Sequence, residues 1–254
     1  MPDLTTYIII SIVFFCGAFL QSVVGFGFNV IGVPAVTILT NARTAVTVVS
    51  LPSFLNCLLL VWRIGRSESK VALEFNRVLP LLITSGIGTL VGATLLAALD
   101  PSIILICLGI LLLIFIATDK VRKNWRPHPR HATRLAVAVG LATGILNGLA
   151  GVSGPTLAPY LYTLRLDKHQ FVYYLNLLFL FLGTFQFISF GLLGFFTWER
   201  ILTGLSLIPV SLAGLYLGMW ARSRVSQVFF NRLVLLVLFV TALDLLRRGL
   251  HITF

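Results

Sequence analysis

Charged residues are scarce in this sequence. They make up 11% of its 254 residues, only eight of them are Asp or Glu, and 58% of the chain is hydrophobic. A soluble domain carries about a quarter of its residues as charged side chains, so this composition excludes a soluble globular protein. Apolar runs long enough to cross a hydrocarbon core about 30 Å thick recur along the chain. The sequence therefore predicts an all-α integral membrane protein.

Acidic side chains are missing from the interior of the apolar runs. The nearest ones lie in loops or close to predicted helix ends: Asp100, Asp119, Asp167, Glu199 and Asp244. Carboxylates inside a membrane are the usual carriers of protons or sodium ions, so their absence disfavours a cationic substrate. It leaves a proton link without an obvious carrier, other than a weakly acidic substrate or His169 at the cytoplasmic mouth.

Metal-binding and catalytic patterns are absent as well. The three cysteines lie inside apolar runs, where cysteine usually behaves as a small hydrophobe. The four histidines show no metal-ligand spacing with Cys or carboxylates, and no nucleophile–base arrangement is recognisable. The Gly-x-Gly at residues 25–27 follows no strand and is not a dinucleotide fingerprint. We expect no metal, no cofactor and no enzyme activity.

Ten apolar runs divide the chain. They cover residues 7–24, 29–40, 45–62, 78–99, 101–118, 135–150, 154–164, 171–195, 201–220 and 230–246. The first run lacks the basic start and the cleavage site of a signal peptide, and we interpret it as a retained membrane helix. The second and seventh runs are too short to span comfortably. Each of these two follows a glycine-rich break, at residues 25–27 or 151–154.

A constant shift of 126 residues relates the two halves of the chain. It places Gly25 on Gly151 and Gln21 on Asn147, and it superposes a Ser-x-x-Gly-x-x-x-Gly pattern without a gap. Small residues at this spacing let membrane helices approach closely, so we expect these glycines to be packing residues. The sequence thus predicts an internal duplication. Its parts are a first transmembrane repeat at 1–118, a basic cytoplasmic linker at 119–134 and a second transmembrane repeat at 135–254.

The net charge of +11 indicates membrane topology and not a nucleic-acid partner. If the loop after the third run is cytoplasmic, 15 of the 19 Lys and Arg residues face the cytoplasm, as the positive-inside rule requires. Five elements per half is an odd number, so the second repeat is inverted relative to the first. Both termini are then extracytoplasmic, and the predicted location is the bacterial inner (plasma) membrane.

Inverted repeats with broken helices at equivalent positions are typical of secondary transporters, and the breaks point to the substrate site. Irregular backbone is tolerated at membrane depth only where it is buried in protein or lines a wet cavity. We therefore expect the two breaks to meet near the midplane, whether the short helices span the membrane or are re-entrant. The N-termini of the short helices carry a partial positive charge, which favours an anion.

The candidate substrate-binding residues are the glycines of the breaks, the polar residues beside them, and an equivalent pair of polar residues in the following helices, Ser50 and Asn176. They are Gln21, Gly25, Gly27, Asn29, Ser50, Asn147, Gly151, Ser153, Gly154 and Asn176. Amides and hydroxyls can bond an oxyanion without adding charge, and the alternative is that they only tie membrane helices together. The basic residues Arg43, Arg165 and Lys168 are expected to gather anions at the two mouths, or else are solvated loop charges.

The two breaks also carry a family resemblance. Residues 25–34 read Gly-Phe-Gly-Phe-Asn-Val-Ile-Gly-Val-Pro, and residues 148–156 read Gly-Leu-Ala-Gly-Val-Ser-Gly-Pro-Thr. These stretches resemble the sulfite exporter TauE/SafE family, whose patterns are Gly-Ile-Gly-Gly-Gly and Gly-x-x-Gly-x-x-Gly-Pro-Pro. Phe28, Asn29 and Thr156 depart from the patterns. The resemblance covers the layout of nearly the whole chain and implies transport of sulfite, thiosulfate or an organosulfonate such as sulfoacetate, usually outward. Phe28 and Asn29 leave room for a larger or differently hydrogen-bonded anion.

These observations together predict a secondary transporter that exports a small sulfur-containing anion. Its mechanism would be alternating access, with the two halves rocking around the central site. Its expected partners are the anionic substrate and the lipid bilayer. Two alternatives stay open at this point, a passive anion channel and a membrane subunit that depends on a partner.

Overall fold

The described part of the protein is built from helices alone, as predicted. A computed structural model describes residues 4–40, 42–67, 75–95, 110, 113, 117, 129–150, 153–164 and 166–250. The helices are α1 (Leu4–Val24), α2 (Phe28–Leu39), α3 (Ala42–Ser67), α4 (Phe75–Leu95), α5 (Pro129–Ala150), α6 (Gly154–Thr163), α7 (Lys168–Leu192), α8 (Trp198–Ser206), α9 (Ile208–Arg224) and α10 (Gln227–Gly249). Most of the fifth predicted run, at 101–118, lies outside the described residues, as do residues 119–128 of the predicted linker.

Five described stretches are long and apolar enough to cross a membrane. They are Leu4–Val24, Arg43–Arg66, Lys168–Leu192, Trp198–Arg224 and Gln227–Asp244. Large apolar side chains on these stretches point outward, and Ile12, Trp62 and Phe229 each expose more than half of their surface. Contiguous apolar surface of this kind is unfavourable in water. The outer wall of the helix bundle is therefore suited to contact with lipid.

The two short helices are present where the sequence predicts them. Helix α2 has 12 residues and α6 has 10, and at 1.5 Å per residue neither reaches across the hydrocarbon core. Helix α6 begins with Gly154 followed by Pro155, and proline is accepted there because its missing N–H would have no helical partner.

Two features of the helices differ from the prediction by more than a shift of a few residues at the ends. The run predicted at 201–220 is divided into α8 and α9, which meet at Leu207. Pro209 lies in the first turn of α9 and has no N–H with which to continue the hydrogen bonds of α8. Helix α5 begins at Pro129, so the last residues of the predicted linker are helical.

Glycines bring α4 directly onto α5. A Cβ atom added to Gly92 would collide with the backbone of Ile145, and one added to Gly88 would lie 2.7 Å from the carbonyl oxygen of Leu141. Gly144 faces the backbone of α4 in the same way. We call this contact the α4–α5 seam. Because one backbone rests on the other, neither helix can shift without losing its packing.

Glycines bring α9 equally close to α1 in a second seam. A Cβ atom added to Gly214 would collide with the carbonyl of Phe15, and one added to Gly218 would collide with the carbonyl of Phe19. We call this contact the α1–α9 seam. Each seam pairs one helix from the first half of the chain with one helix from the second half.

Helix α7 is the central element between the two seams. It contacts α1, α3, α4, α5, α6 and α10, and residues along its length are buried, among them Leu175, Asn176 and Leu182. The side chains of Asn176, Gln186 and Ser189 on α7 therefore face protein and not lipid.

The α4–α5 seam can be tested by adding a single methyl group. In Gly144→Ala the new Cβ would lie 2.8 Å from Gly88 Cα, and overpacking of this kind costs about 1–3 kcal/mol. We expect a lower midpoint of thermal unfolding in detergent. Gly191→Ala is the matched control, because a Cβ at Gly191 meets nothing within 4 Å. Equal midpoints for the two variants would contradict the described seam.

Candidate functional site

The first break separates α1 from α2. Gly25 and Gly27 have φ angles of +99° and +121°, a left-handed backbone that only glycine adopts readily. The Gly25 N–H still donates to the Gln21 carbonyl at 2.7 Å, and the first bond within α2 runs from the Ile31 N–H to the Gly27 carbonyl at 3.0 Å. As at any helix start, the N–H groups of the first turn of α2 are not used within the helix.

The second break brings α6 against the first. The Leu157 N–H donates to the Ser153 carbonyl at 3.2 Å, and the Ser153 side chain makes no capping hydrogen bond. A Cβ atom on Gly154 would lie 2.9 Å from a ring carbon of Phe26. The absence of a side chain at Gly154 therefore allows the two breaks to touch.

A cavity of about 40 Å³ lies where the two breaks meet α3 and α7. One water molecule needs about 10–15 Å³ by this measure, so the space suits a few waters or a small anion. Seven of the ten predicted substrate-binding residues line it. They are Gln21, Gly27, Asn29, Ser50, Asn147, Ser153 and Gly154. The structure thus brings together residues that lie more than 130 positions apart in the chain.

A buried amide network supports one wall of the cavity. Gln21 Nε2 donates to Asn176 Oδ1 at 3.0 Å and to Cys57 Sγ at 3.2 Å. Asn56 Nδ2 lies 3.5 Å from Gln21 Oε1, and the Ser211 hydroxyl donates to Asn56 Oδ1 at 3.4 Å. Buried polar groups are costly unless they are hydrogen-bonded. The network therefore fixes the orientation of the Gln21 amide, using residues of α1, α3, α7 and α9.

Asn176 ties the first break to the second half of the chain. Its Nδ2 donates to the Gly25 carbonyl at 3.1 Å and to the Val172 carbonyl at 2.8 Å. The side chain is fully buried, and it is not among the residues that line the cavity. Asn176 therefore holds Gln21 and Gly25 in place from behind. Gly25 likewise lies outside the lining and packs against Val172 and Leu175.

Amides of the second half face the same cavity. Asn147 Nδ2 donates to the Leu182 carbonyl at 3.4 Å, and Gln186 Nε2 donates to the Asn147 carbonyl at 3.3 Å. Asn147 and Gln186 both line the cavity and are each nine-tenths or more buried. Gln21 and Asn147, which are equivalent under the shift of 126, thus lie on one shared space.

Neither described mouth residue lines the cavity. The Arg43 guanidinium lies 5.5 Å from the centroid of the Phe195 ring. Lys168 Nζ donates to the carbonyl of Arg222 at 3.1 Å and to that of Val225, which places a positive charge favourably at the C-terminus of α9. The remaining predicted residues, Arg165 and Gly151, lie outside the described residues.

Aromatic side chains form much of the cavity wall, and the sequence marks only one of them, Phe28, as a departure from the family pattern. The five are Phe26, Phe28, Phe54, Phe179 and Phe187. A phenylalanine in an apolar run adds to the hydrophobicity of the sequence in the same way whether it faces lipid, the protein core or a cavity. Gln186 also lines the cavity, and it does carry a signal, because an amide in the middle of a membrane run is costly unless it faces the protein interior.

These features define a class of protein, a multi-pass helical membrane protein with two broken helices around a small cavity lined by phenylalanines and neutral polar side chains. The family model described as "Sulfite exporter TauE/SafE" matches residues 9–245. The chain therefore belongs to the TauE/SafE family, a family of membrane transporters, and the resemblance at the breaks is confirmed. Its partners are accordingly a small anionic substrate and the lipid bilayer. Comparison with curated proteins and with solved structures gives no match.

The role of Asn176 can be tested by removing its amide. In Asn176→Ala the carbonyl of Gly25 and the amide of Gln21 lose a partner in a buried place, which costs about 1–3 kcal/mol. We expect a clearly lower midpoint of thermal unfolding in detergent. Thr184→Ala, on the exposed face of the same helix, removes a hydroxyl that bonds only its own helix and should change the midpoint little. Similar midpoints for both variants would show that the break does not depend on Asn176.

Proposed function

We propose that this protein is a secondary transporter that exports a small sulfur-containing anion, such as sulfite, thiosulfate or an organosulfonate, across the bacterial inner membrane. The observation that carries the proposal is the meeting of two helix N-termini and several neutral hydrogen-bonding side chains in one small cavity. Helix N-termini attract an anion and repel a cation. Membership of the sulfite exporter family supports a sulfur oxyanion as the substrate.

Equivalent positions of the two halves meet at this cavity. A shift of 126 residues places Gln21 on Asn147 and Gly27 on Ser153, and all four residues line the cavity. A site shared by two repeats at their broken helices is the usual arrangement in secondary transporters. This supports a carrier with two repeats, at 1–118 and 135–254, and not a simple pore.

The two seams support the same duplication. Gly92 and Ile145 are in contact in the α4–α5 seam, and Gly218 and Phe19 are in contact in the α1–α9 seam. Gly218 is the equivalent of Gly92 under the shift of 126 residues, and Phe19 is the equivalent of Ile145. Reciprocal pairing of this kind is what a pseudo-twofold axis produces. With an odd number of elements per repeat, as the sequence predicts, the axis lies in the membrane plane, the repeats are inverted and both termini are extracytoplasmic.

The seams also suggest which parts move during alternating access. Each seam holds one helix of each half so closely that the two helices behave as one body. We therefore place the motion between the α1–α9 pair and the α4–α5 pair, with α7 and the two short helices between them. This refines the expectation that the halves rock as units.

Counterflow in proteoliposomes tests the proposed function. Purified protein is loaded in turn with sulfite, thiosulfate, sulfoacetate, sulfate and chloride, and we expect saturable exchange of a sulfur oxyanion. Gln21→Ala and Asn147→Ala should each lower the exchange rate by about tenfold or more. Each change removes an amide of the cavity wall and leaves its buried hydrogen-bonding partners unsatisfied, which costs about 1–3 kcal/mol. Flux that never saturates would indicate a channel, and no flux with any anion would contradict the proposal or indicate a missing partner.

Cys57 provides an independent reporter of the site, because it lines the cavity. In a Cys16→Ser/Cys107→Ser chain, Cys57 is the only thiol. It is buried in the structure, so a small maleimide alkylates it only when the cavity opens during transport, and we expect a bound sulfonate to slow this alkylation several-fold. A sulfonate is the suitable ligand because sulfite itself reacts with maleimides. A Cys57→Ser chain is the control, because it retains the other two thiols, and its alkylation should not respond to the sulfonate. Unchanged labelling of Cys57 at saturating sulfonate would place the substrate elsewhere.

A further inference from the structure

The charge available in the cavity comes from backbone and not from side chains. None of the described residues that line it is Asp, Glu, Lys, Arg or His. The positive potential therefore comes from the N-termini of α2 and α6, each equivalent to about half an elementary charge. Together they supply about one positive charge. One negative charge on the ligand is matched, whereas the second charge of a dianion would remain uncompensated in a medium of low dielectric.

Ser153 offers a hydrogen bond beside the N-terminus of α6. Its side chain is 6% exposed and lines the cavity. It makes no hydrogen bond to other described parts of the protein. The hydroxyl opens onto the cavity, so it can donate a hydrogen bond to an oxygen of a bound anion. The observation therefore points to a ligand and does not rest on helix ends alone.

The rest of the wall is poorly suited to a second charge. Phe54, Phe179 and Phe187 line the cavity from α3 and α7, and the rings of Phe54 and Phe187 pack edge to face with their centroids 5.2 Å apart. An aromatic wall cannot replace the water around a charged oxygen. It accepts an apolar group such as a methyl.

We propose that the transported species is a monoanion, namely hydrogensulfite in the case of sulfite, or a sulfonate with a short apolar group, and that dianions bind poorly. This inference rests on the proposed function and specifies the substrate of the same site. It also accounts for a proton link without a protein carboxylate, because hydrogensulfite carries its own proton through the membrane.

Ligands of matched shape provide the first test. Methanesulfonate and thiosulfate are both tetrahedral ions built on an SO₃ group, but the first carries one charge and a methyl group and the second carries two charges. In counterflow we expect methanesulfonate to reach half-saturation at a concentration at least about tenfold lower than thiosulfate or sulfate. Ethanesulfonate should bind about fourfold more tightly than methanesulfonate if its extra CH₂ reaches the aromatic wall.

The pH dependence of sulfite exchange provides the second test. Above the pKa of hydrogensulfite the monoanion is a falling fraction of total sulfite, and apparent affinity falls with the competent fraction. The half-saturating concentration of total sulfite should thus rise by about tenfold per pH unit in that range. Methanesulfonate keeps one charge at every pH used, so its half-saturation should stay constant. This control separates titration of the substrate from titration of the protein.

A pair of serine variants connects the specificity to the cavity. Ser153→Ala should raise the half-saturating concentration of methanesulfonate by about tenfold, and Ser153→Thr should restore most of it because it keeps the hydroxyl. Ser223→Ala, which removes an exposed hydroxyl bonded within its own helix, should have no effect. Thermal unfolding midpoints check that each variant is folded.

Each result decides between named outcomes. Thiosulfate or sulfate that half-saturates at or below the concentration for methanesulfonate would overturn the monoanion inference while leaving the carrier intact. Sulfite exchange that is independent of pH would overturn it as well. If no anion exchanges at all, the proposed function itself fails.

Discussion

The hydrogen bond from Asn176 to the carbonyl of Gly25 is the contact on which the site depends. The backbone N–H and C=O groups that a broken helix leaves without partners cannot form hydrogen bonds to water in the hydrocarbon core. They must therefore form hydrogen bonds within the protein. Asn176 satisfies the Gly25 carbonyl at 3.1 Å and accepts a bond from Gln21 at 3.0 Å. One side chain from the second half thereby stabilises the break of the first half and orients the amide that faces the cavity.

The seams explain how so small a cavity can keep its shape between helices that face lipid. Lipid gives no hydrophobic drive for helix association, so close packing and hydrogen bonds must hold the bundle together. Gly92 and Gly218 let backbones touch on the two sides of the site. Buried amides such as Asn56 then connect α3 to α1 and α9 across the space between the seams. Rigid pairs at the sides and hydrogen bonds at the centre are consistent with a site that moves as part of a few bodies.

The sequence predicts the helical class, the family and both breaks because each rests on local chemistry. Apolar length indicates membrane helices, and glycine followed by proline marks the broken ones. The sequence does not predict the division at Leu207, since Pro209 in an apolar run is compatible with either a kink or an uninterrupted helix. It also cannot separate Gln21, which lines the cavity, from Asn176, which lies behind it. Both are amides inside predicted membrane runs, and only the packing of α7 distinguishes them.

The scarcity of acidic residues bears on how the proposed export is driven. A carrier with no carboxylate well inside its apolar runs has no evident site for a coupling cation, and its fixed charge stays the same in every conformation. An inside-negative membrane potential then acts on the substrate alone, at about 2.3 kcal/mol per elementary charge for each 100 mV. If the proposed monoanion leaves the cell, this potential favours its exit without any coupling ion. A dianion would gain twice as much from the potential, but it would first have to enter a cavity whose two helix N-termini match only one charge. Under this proposal, dianions are therefore excluded at the binding step, and the membrane potential drives the exit of the monoanion without a residue that binds a coupling ion.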